Sequence, residues 1–244
     1  MVSEDPEFVP ITDDKPFLAG NVRHVLSLGQ VRTLFSLALA ALAAVGVLTW
    51  AALRRRGDPG IPGRPFAAVA GLALLIGANF LLVEHLLVMA LFRRIFVFED
   101  SLGLGAVSFL AFSGLGSLFA GQPWRRRALW AAATVALLVL LVFPGRLSEL
   151  GVTAVMAPVA LATGTFFPTL FERAAANPVA VFALDAVGAG FGAVAATFVP
   201  ILWGFDAYFM LAAGSFFLTA AADAVFHGPS HRGPTPAEPE KESD

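Results

Sequence analysis

Four residues carry groups that can handle a proton or a cation in otherwise apolar surroundings: Asn79, Glu84, His85 and Asp185. Glu84 and His85 are neighbours inside a long hydrophobic stretch. A charge at the centre of a membrane span costs about 2.5–3.5 kcal/mol, so such a pair is expected to face protein or a water-filled cavity. Successive helical residues differ by about 100° in direction, so the two share a broad face but not one spot. As chemistry they offer a proton or substrate site. As architecture they offer a carboxyl and an imidazole bonded across a helix interface, to Asn79 of a neighbouring copy or to a Ser or Thr hydroxyl. Asp185 lies roughly 10 Å from the start of its own apolar stretch, within reach of a rim arginine or of an internal cavity. In a transport reading, Glu84 and Asp185 supply negative charge for a small cation, and Asn79 and His85 line the same cavity.

Other constellations are weaker. The absence of cysteine excludes disulfides, thiol catalysis and cysteine metal sites. His24, His227 and His231 stand in polar flanks without a ligand pattern, and Asp13-Asp14 lacks a third ligand. No metal and no cofactor is therefore expected. Gly114, Gly116 and Gly121 are spaced somewhat like a dinucleotide fingerprint, but that motif needs a strand before it and a helix after it. Here the glycines close an apolar span, so Gly114 and Gly116 are read as a helix contact. Gly188 and Gly192 form a small-residue face that permits close helix approach. No catalytic triad, zinc spacing or phosphate loop is present, so the chain is not expected to be an enzyme by itself, and nothing points to nucleic acid.

The elements that must hold these residues are membrane spans. With 57% hydrophobic and 14% charged residues, most of the mass belongs in lipid. Residues 33–53, 101–121 and 150–171 contain no ionisable side chain, and about 20 apolar residues suffice to cross a bilayer. The pattern predicts an all-α polytopic membrane protein with spans near 33–53, 66–92, 101–121, 128–143, 150–170, 178–202 and 205–224. Pro158 and Pro168 predict a kinked or broken fifth helix, whose freed carbonyls could line a binding cavity. Pro200 predicts the same near the end of the sixth. Residues 1–30 read as a polar N-terminal segment without the order of an export signal, 31–226 as the membrane domain, and 227–244 as a disordered polar tail.

Arginine placement sets the orientation. With the N-terminus outside, ten Lys and Arg fall on the inner side and six on the outer. The triplets Arg54–Arg56 and Arg125–Arg127 are both inner, and they read as topology anchors. The expectation is N-out and C-in, in a bacterial inner membrane, with the lipid bilayer as the principal partner.

Several stretches together resemble a known family. Thr12-Asp13-Asp14-Lys15-Pro16-Phe17 is similar to the junction that joins a Rossmann domain to membrane helices in bacterial membrane-bound spermidine synthase-like proteins. Asn79-Phe80-Leu81-Leu82-Val83-Glu84 resembles that family's Phe-Val-Glu segment, and Phe112-Ser113-Gly114-Leu115-Gly116-Ser117 its Phe-Ser-Gly-Leu-Gly-Ser segment. Gly164-Thr165-Phe166-Phe167-Pro168 and the helix from Asp185 to Gly192, followed by Trp203-Gly204-Phe205, are also similar. Asp185 departs from the asparagine of the family pattern, and His85 and Arg93-Arg94 depart as well. The resemblance implies the membrane subunit of a spermidine synthase-like system. Such a subunit would anchor a separately encoded aminopropyltransferase-like chain and pass a small cationic or lipid-like substrate. No residue here inherits aminopropyl transfer. The alternatives are a homo-oligomer and an independent transporter or channel with an intramembrane Glu/His proton site.

Overall fold

The computed structural model describes residues 27–55, 66–95, 98–143, 146–173 and 178–226. The Thr12–Phe17 junction, Asp13-Asp14, His24, His227, His231 and the tail 227–244 lie outside the described residues. Among the described residues every regular element is an α-helix: α1 Leu28–Arg55, α2 Phe66–Ile95, α3 Phe98–Ser117, α4 Pro123–Val142, α5 Glu149–Gly164, α6 Phe166–Arg173, α7 Pro178–Trp203 and α8 Phe205–Phe226.

Local chemistry sets the helix ends. α1 begins five residues before Thr33 because Ser27 and Gln30 form a capping box. The Gln30 N–H donates to Ser27 Oγ at 3.3 Å, and the Ser27 N–H donates to Gln30 Oε1 at 2.7 Å. α3 stops at Ser117, and 118–121 tighten into turns with bonds to carbonyls three residues back. α4 then starts at Pro123, whose missing N–H costs nothing at a first helical position. The second arginine triplet therefore lies inside the first turns of α4. Ser148 caps α5 by accepting the Gly151 N–H at 3.2 Å. The fifth span is broken at Thr165, between Pro158 and Pro168, and α6 continues it. The Thr165 and Thr169 hydroxyls bond the Ala162 and Thr165 carbonyls at 2.7 and 2.5 Å, which satisfies backbone acceptors around the break.

A single residue, Gly204, reverses the chain between α7 and α8. Its φ is 91°, and its N–H donates to the Pro200 carbonyl at 3.1 Å. A side chain there would meet the left-handed penalty of roughly 1–2 kcal/mol. Gly204→Ala is therefore expected to lower thermal stability in detergent by about that amount, without altering the cavity described below.

Among the described residues five helical stretches are long and apolar enough to cross a membrane: Gly29–Arg55, Phe66–Ile95, Glu149–Glu172, Pro178–Trp203 and Phe205–Phe226. The chain is thus an all-α, multi-pass membrane protein. α3 and α4 are shorter, at 20 residues each, and charged at their starts by Glu99 and Asp100 and by Arg125–Arg127.

α2 is the central helix, contacting α3, α5, α7 and α8. α7 runs alongside it and α8 runs against it. α1 lies outside α7, through Phe35 on Phe198 at 5.4 Å between ring centroids. At one end of the bundle the Arg93 guanidinium lies 4.6 Å over the Phe205 ring, and Arg94 shares a cleft with Leu147–Leu150. That end therefore gathers the finish of α2 and the starts of α5 and α8. At the opposite end Arg126, early in α4, pairs with Asp223, late in α8. α3 thus carries the chain from the first end to the second, and α4 carries it back.

Candidate functional site: a lateral cavity at Asp185

The α2–α7 contact is built on glycine. A Cβ at Gly77 would collide with the Asp185 carbonyl, and one at Gly188 with the Leu74 carbonyl. Gly192 sits against Ala78 and Leu81. A second close contact joins α3 and α5, where Gly116 meets the Leu161 carbonyl and Gly164 the Ser113 carbonyl. Such approach lets backbones pack where no water is available to drive association. Between the two contacts the helices diverge and leave a cavity.

The cavity holds about 530 Å³ and is bordered by α2, α3, α5, α6 and α7, within the range of about 300–1,000 Å³ common for small-molecule sites. Ile76, Gly77, Phe80 and Leu81 form its back wall, and Leu110, Ser113 and Gly114 one flank. Thr163, Gly164 and Phe167 close another flank, and Phe182, Asp185 and Ala189 face them. The lining is apolar apart from the half-buried Asp185 carboxylate and the Ser113 and Thr163 hydroxyls. Ser113 Oγ donates to the Leu110 carbonyl at 3.2 Å, whereas Thr163 Oγ1 is buried with no partner among the described residues. Gly114 departs from the expected helix contact: nothing lies within 4 Å of its Cβ position, and it borders the cavity instead. Its partner in the motif, Gly116, makes the contact.

The four residues singled out for chemistry are not gathered in one place. Asp185 lines the cavity. Glu84 is half-buried and lies one turn beyond Phe80, on the side of α2 that carries Gly77, Phe80 and Leu81. Asn79 and His85 are not part of the cavity lining. Asn79 meets Ser215 of α8, and His85, one turn beyond Leu81, meets Tyr208 of α8. Ser215 Oγ donates to Asn79 Oδ1 at 3.1 Å, while Asn79 Nδ2 has no partner among the described residues. The His85 ring stands at 90° to the Tyr208 ring with centroids 5.8 Å apart, and its buried Nε2 is likewise without a hydrogen-bond partner. The Tyr208 hydroxyl donates to the Leu82 carbonyl at 2.6 Å. Tyr208→Phe removes that buried bond and is expected to cost about 1 kcal/mol, read as a lowered melting temperature.

One polar cluster escaped the sequence reading. Arg126 and Asp223 form a buried ion pair between α4 and α8, with Asp223 fully buried. The guanidinium also lies 5.2 Å from the Trp130 ring centroid. Asp223 could have been noticed as the lone charge in residues 207–226. Arg126 could not be told from its exposed neighbours Arg125 and Arg127.

Among the described residues no group of three His, Asp or Glu side chains could hold a metal ion. No protein-family model, curated protein or solved structure matches this chain.

Proposed function

We propose that this chain is the membrane subunit of a spermidine synthase-like system in the bacterial inner membrane, and that it admits a small cationic or lipid-like molecule to the Asp185 cavity. One observation carries the reading: a carboxylate on the wall of an otherwise apolar cavity, well inside α7. A carboxylate held in such surroundings favours a cation, because an uncompensated intramembrane charge is costly. The family part rests on the motif resemblance alone. Co-purification in mild detergent tests it. A stoichiometric Rossmann-type chain is expected, and a homo-oligomer free of any such partner would contradict it.

In this reading the chain crosses the membrane seven times, N-out and C-in, with α5 and α6 together making one crossing. The support is the pair of bundle ends. Arg126 meets Asp223 at one end, and Arg94 borders the start of α5 at the other, so α3 and α4 each run from one end of the bundle to the other. Since the chain contains no cysteine, single substitutions report sidedness cleanly. In spheroplasts, Arg146→Cys is expected to react with an impermeant maleimide, and Gly121→Cys only after permeabilisation. Labelling of both from one side would mean that α4 does not cross.

The second reading is an independent transporter with a proton site at Glu84 and His85. The buried His85 Nε2 beside Tyr208, without a hydrogen-bond partner among the described residues, favours it. Proton flux in liposomes that survives Glu84→Gln unchanged would remove it.

A further inference from the structure

We propose that the Asp185 cavity takes a single-chain amphipathic amine, which enters sideways from the bilayer between α3 and α7. Its ammonium meets Asp185, and a second N–H or hydroxyl of its head meets Thr163. This rests on the reading of the cavity as a site for a cationic or lipid-like molecule and commits it to one class combining both properties.

The hydroxyl of Thr163 is the first warrant. On the same broken span, Thr153, Thr165 and Thr169 each give their hydroxyl to a carbonyl one turn back, the ordinary outlet for such a group in a helix. Thr163 does not, although it is 2% exposed and lines the cavity. A buried hydroxyl without a partner is destabilising, and a donor or acceptor on the bound molecule would relieve that cost. The Asp185 carboxylate, which makes no hydrogen bond or ion pair to another described residue, supplies the complement to an ammonium.

The mouth is the second warrant. Leu110 of α3 and Phe182 of α7 flank it and are 53% and 63% exposed. The space above Gly114 is open. Gly114 lies in the last turn of α3 and Phe182 in the second turn of α7. The opening is therefore on the flank of the bundle, toward the end where α3 finishes and α7 begins, and its exposed apolar rim suits acyl chains. A polycation would leave further ammonium groups against phenyl and aliphatic walls, at a desolvation cost that no second carboxylate on the cavity lining offsets. One ammonium on one alkyl chain matches one carboxylate in an apolar sleeve.

The test is photocrosslinking in lipid nanodiscs with a diazirine-bearing dodecylamine, the adducts being located by peptide mass spectrometry. Adducts are expected on α3 and α7 beside the cavity, competed by dodecylamine but not by dodecanol or spermidine. Asp185→Asn is expected to cut them about tenfold or more, the loss of one charge-assisted contact. Gly114→Trp should abolish them by filling open space while leaving the melting temperature unchanged. Competition by spermidine but not dodecylamine overturns this inference and leaves the cationic reading of the cavity standing. Equal competition by dodecanol overturns the role of Asp185. Adducts that neither amine displaces, or that fall elsewhere, overturn both the inference and the reading beneath it.

Discussion

Arg126→Ala and Asp223→Ala are each expected to destabilise the bundle by about 3–5 kcal/mol, the cost of leaving one member of a buried ion pair unpaired. Asp223 is fully buried, and Arg126 is held between it and the Trp130 ring. Either deletion takes away the opposite charge's ion-pair partner at the contact that ties the start of α4 to the end of α8. Replacing both partners with leucine removes the remaining charge as well as the pair, and buried pairs exchanged for apolar residues are often neutral or stabilising. The double variant should therefore melt much closer to wild type than either single alanine. Melting in detergent of Arg126→Leu, Asp223→Leu and the double leucine variant, beside the single alanines, measures this. Losses that simply add would show that the two residues act independently.

Gly188→Leu is the second large effect. The Cβ would fall on the Leu74 carbonyl, and the neighbouring atoms are backbone as well, so no flexible side chain can yield. α7 must move off α2, and overpacking of this kind typically costs about 1–3 kcal/mol and occasionally more. The shift would also displace Asp185, one turn away. Gly114→Leu provides the contrast, because its Cβ meets open space and its melting temperature should not change. Size-exclusion profiles with thermal melts separate the two. If Gly188→Leu melted like wild type, the α2–α7 contact would not be the close seam described here.

How much of this was legible in the sequence follows from which distances matter. Long charge-free runs gave the helices, since only covalent neighbours decide where an apolar stretch begins and ends. Even so, the Ser27–Gln30 box starts α1 early, and Pro123 draws the arginine triplet into α4. Pro158 and Pro168 pointed to a break, which lies at Thr165 between them. The rotation of α2 about its axis was not legible. That angle takes Asn79 to Ser215 of α8 while Gly77, Phe80 and Leu81 border the cavity, and His85, one turn beyond Leu81, meets Tyr208. Nor was the inward turn of Arg126, whose reason is a residue 97 positions away. The unpartnered Thr163 hydroxyl likewise depends on how the two halves of the broken span meet α3.

Native mass spectrometry of the protein ejected from lipid nanodiscs tests the central claim most directly. Wild type is expected to retain a nitrogen-containing cationic molecule. Asp185→Asn, folded and equally stable, should lose it while keeping the same bulk lipids. An identical set of bound molecules on both proteins would contradict the account and leave Asp185 without a role in binding.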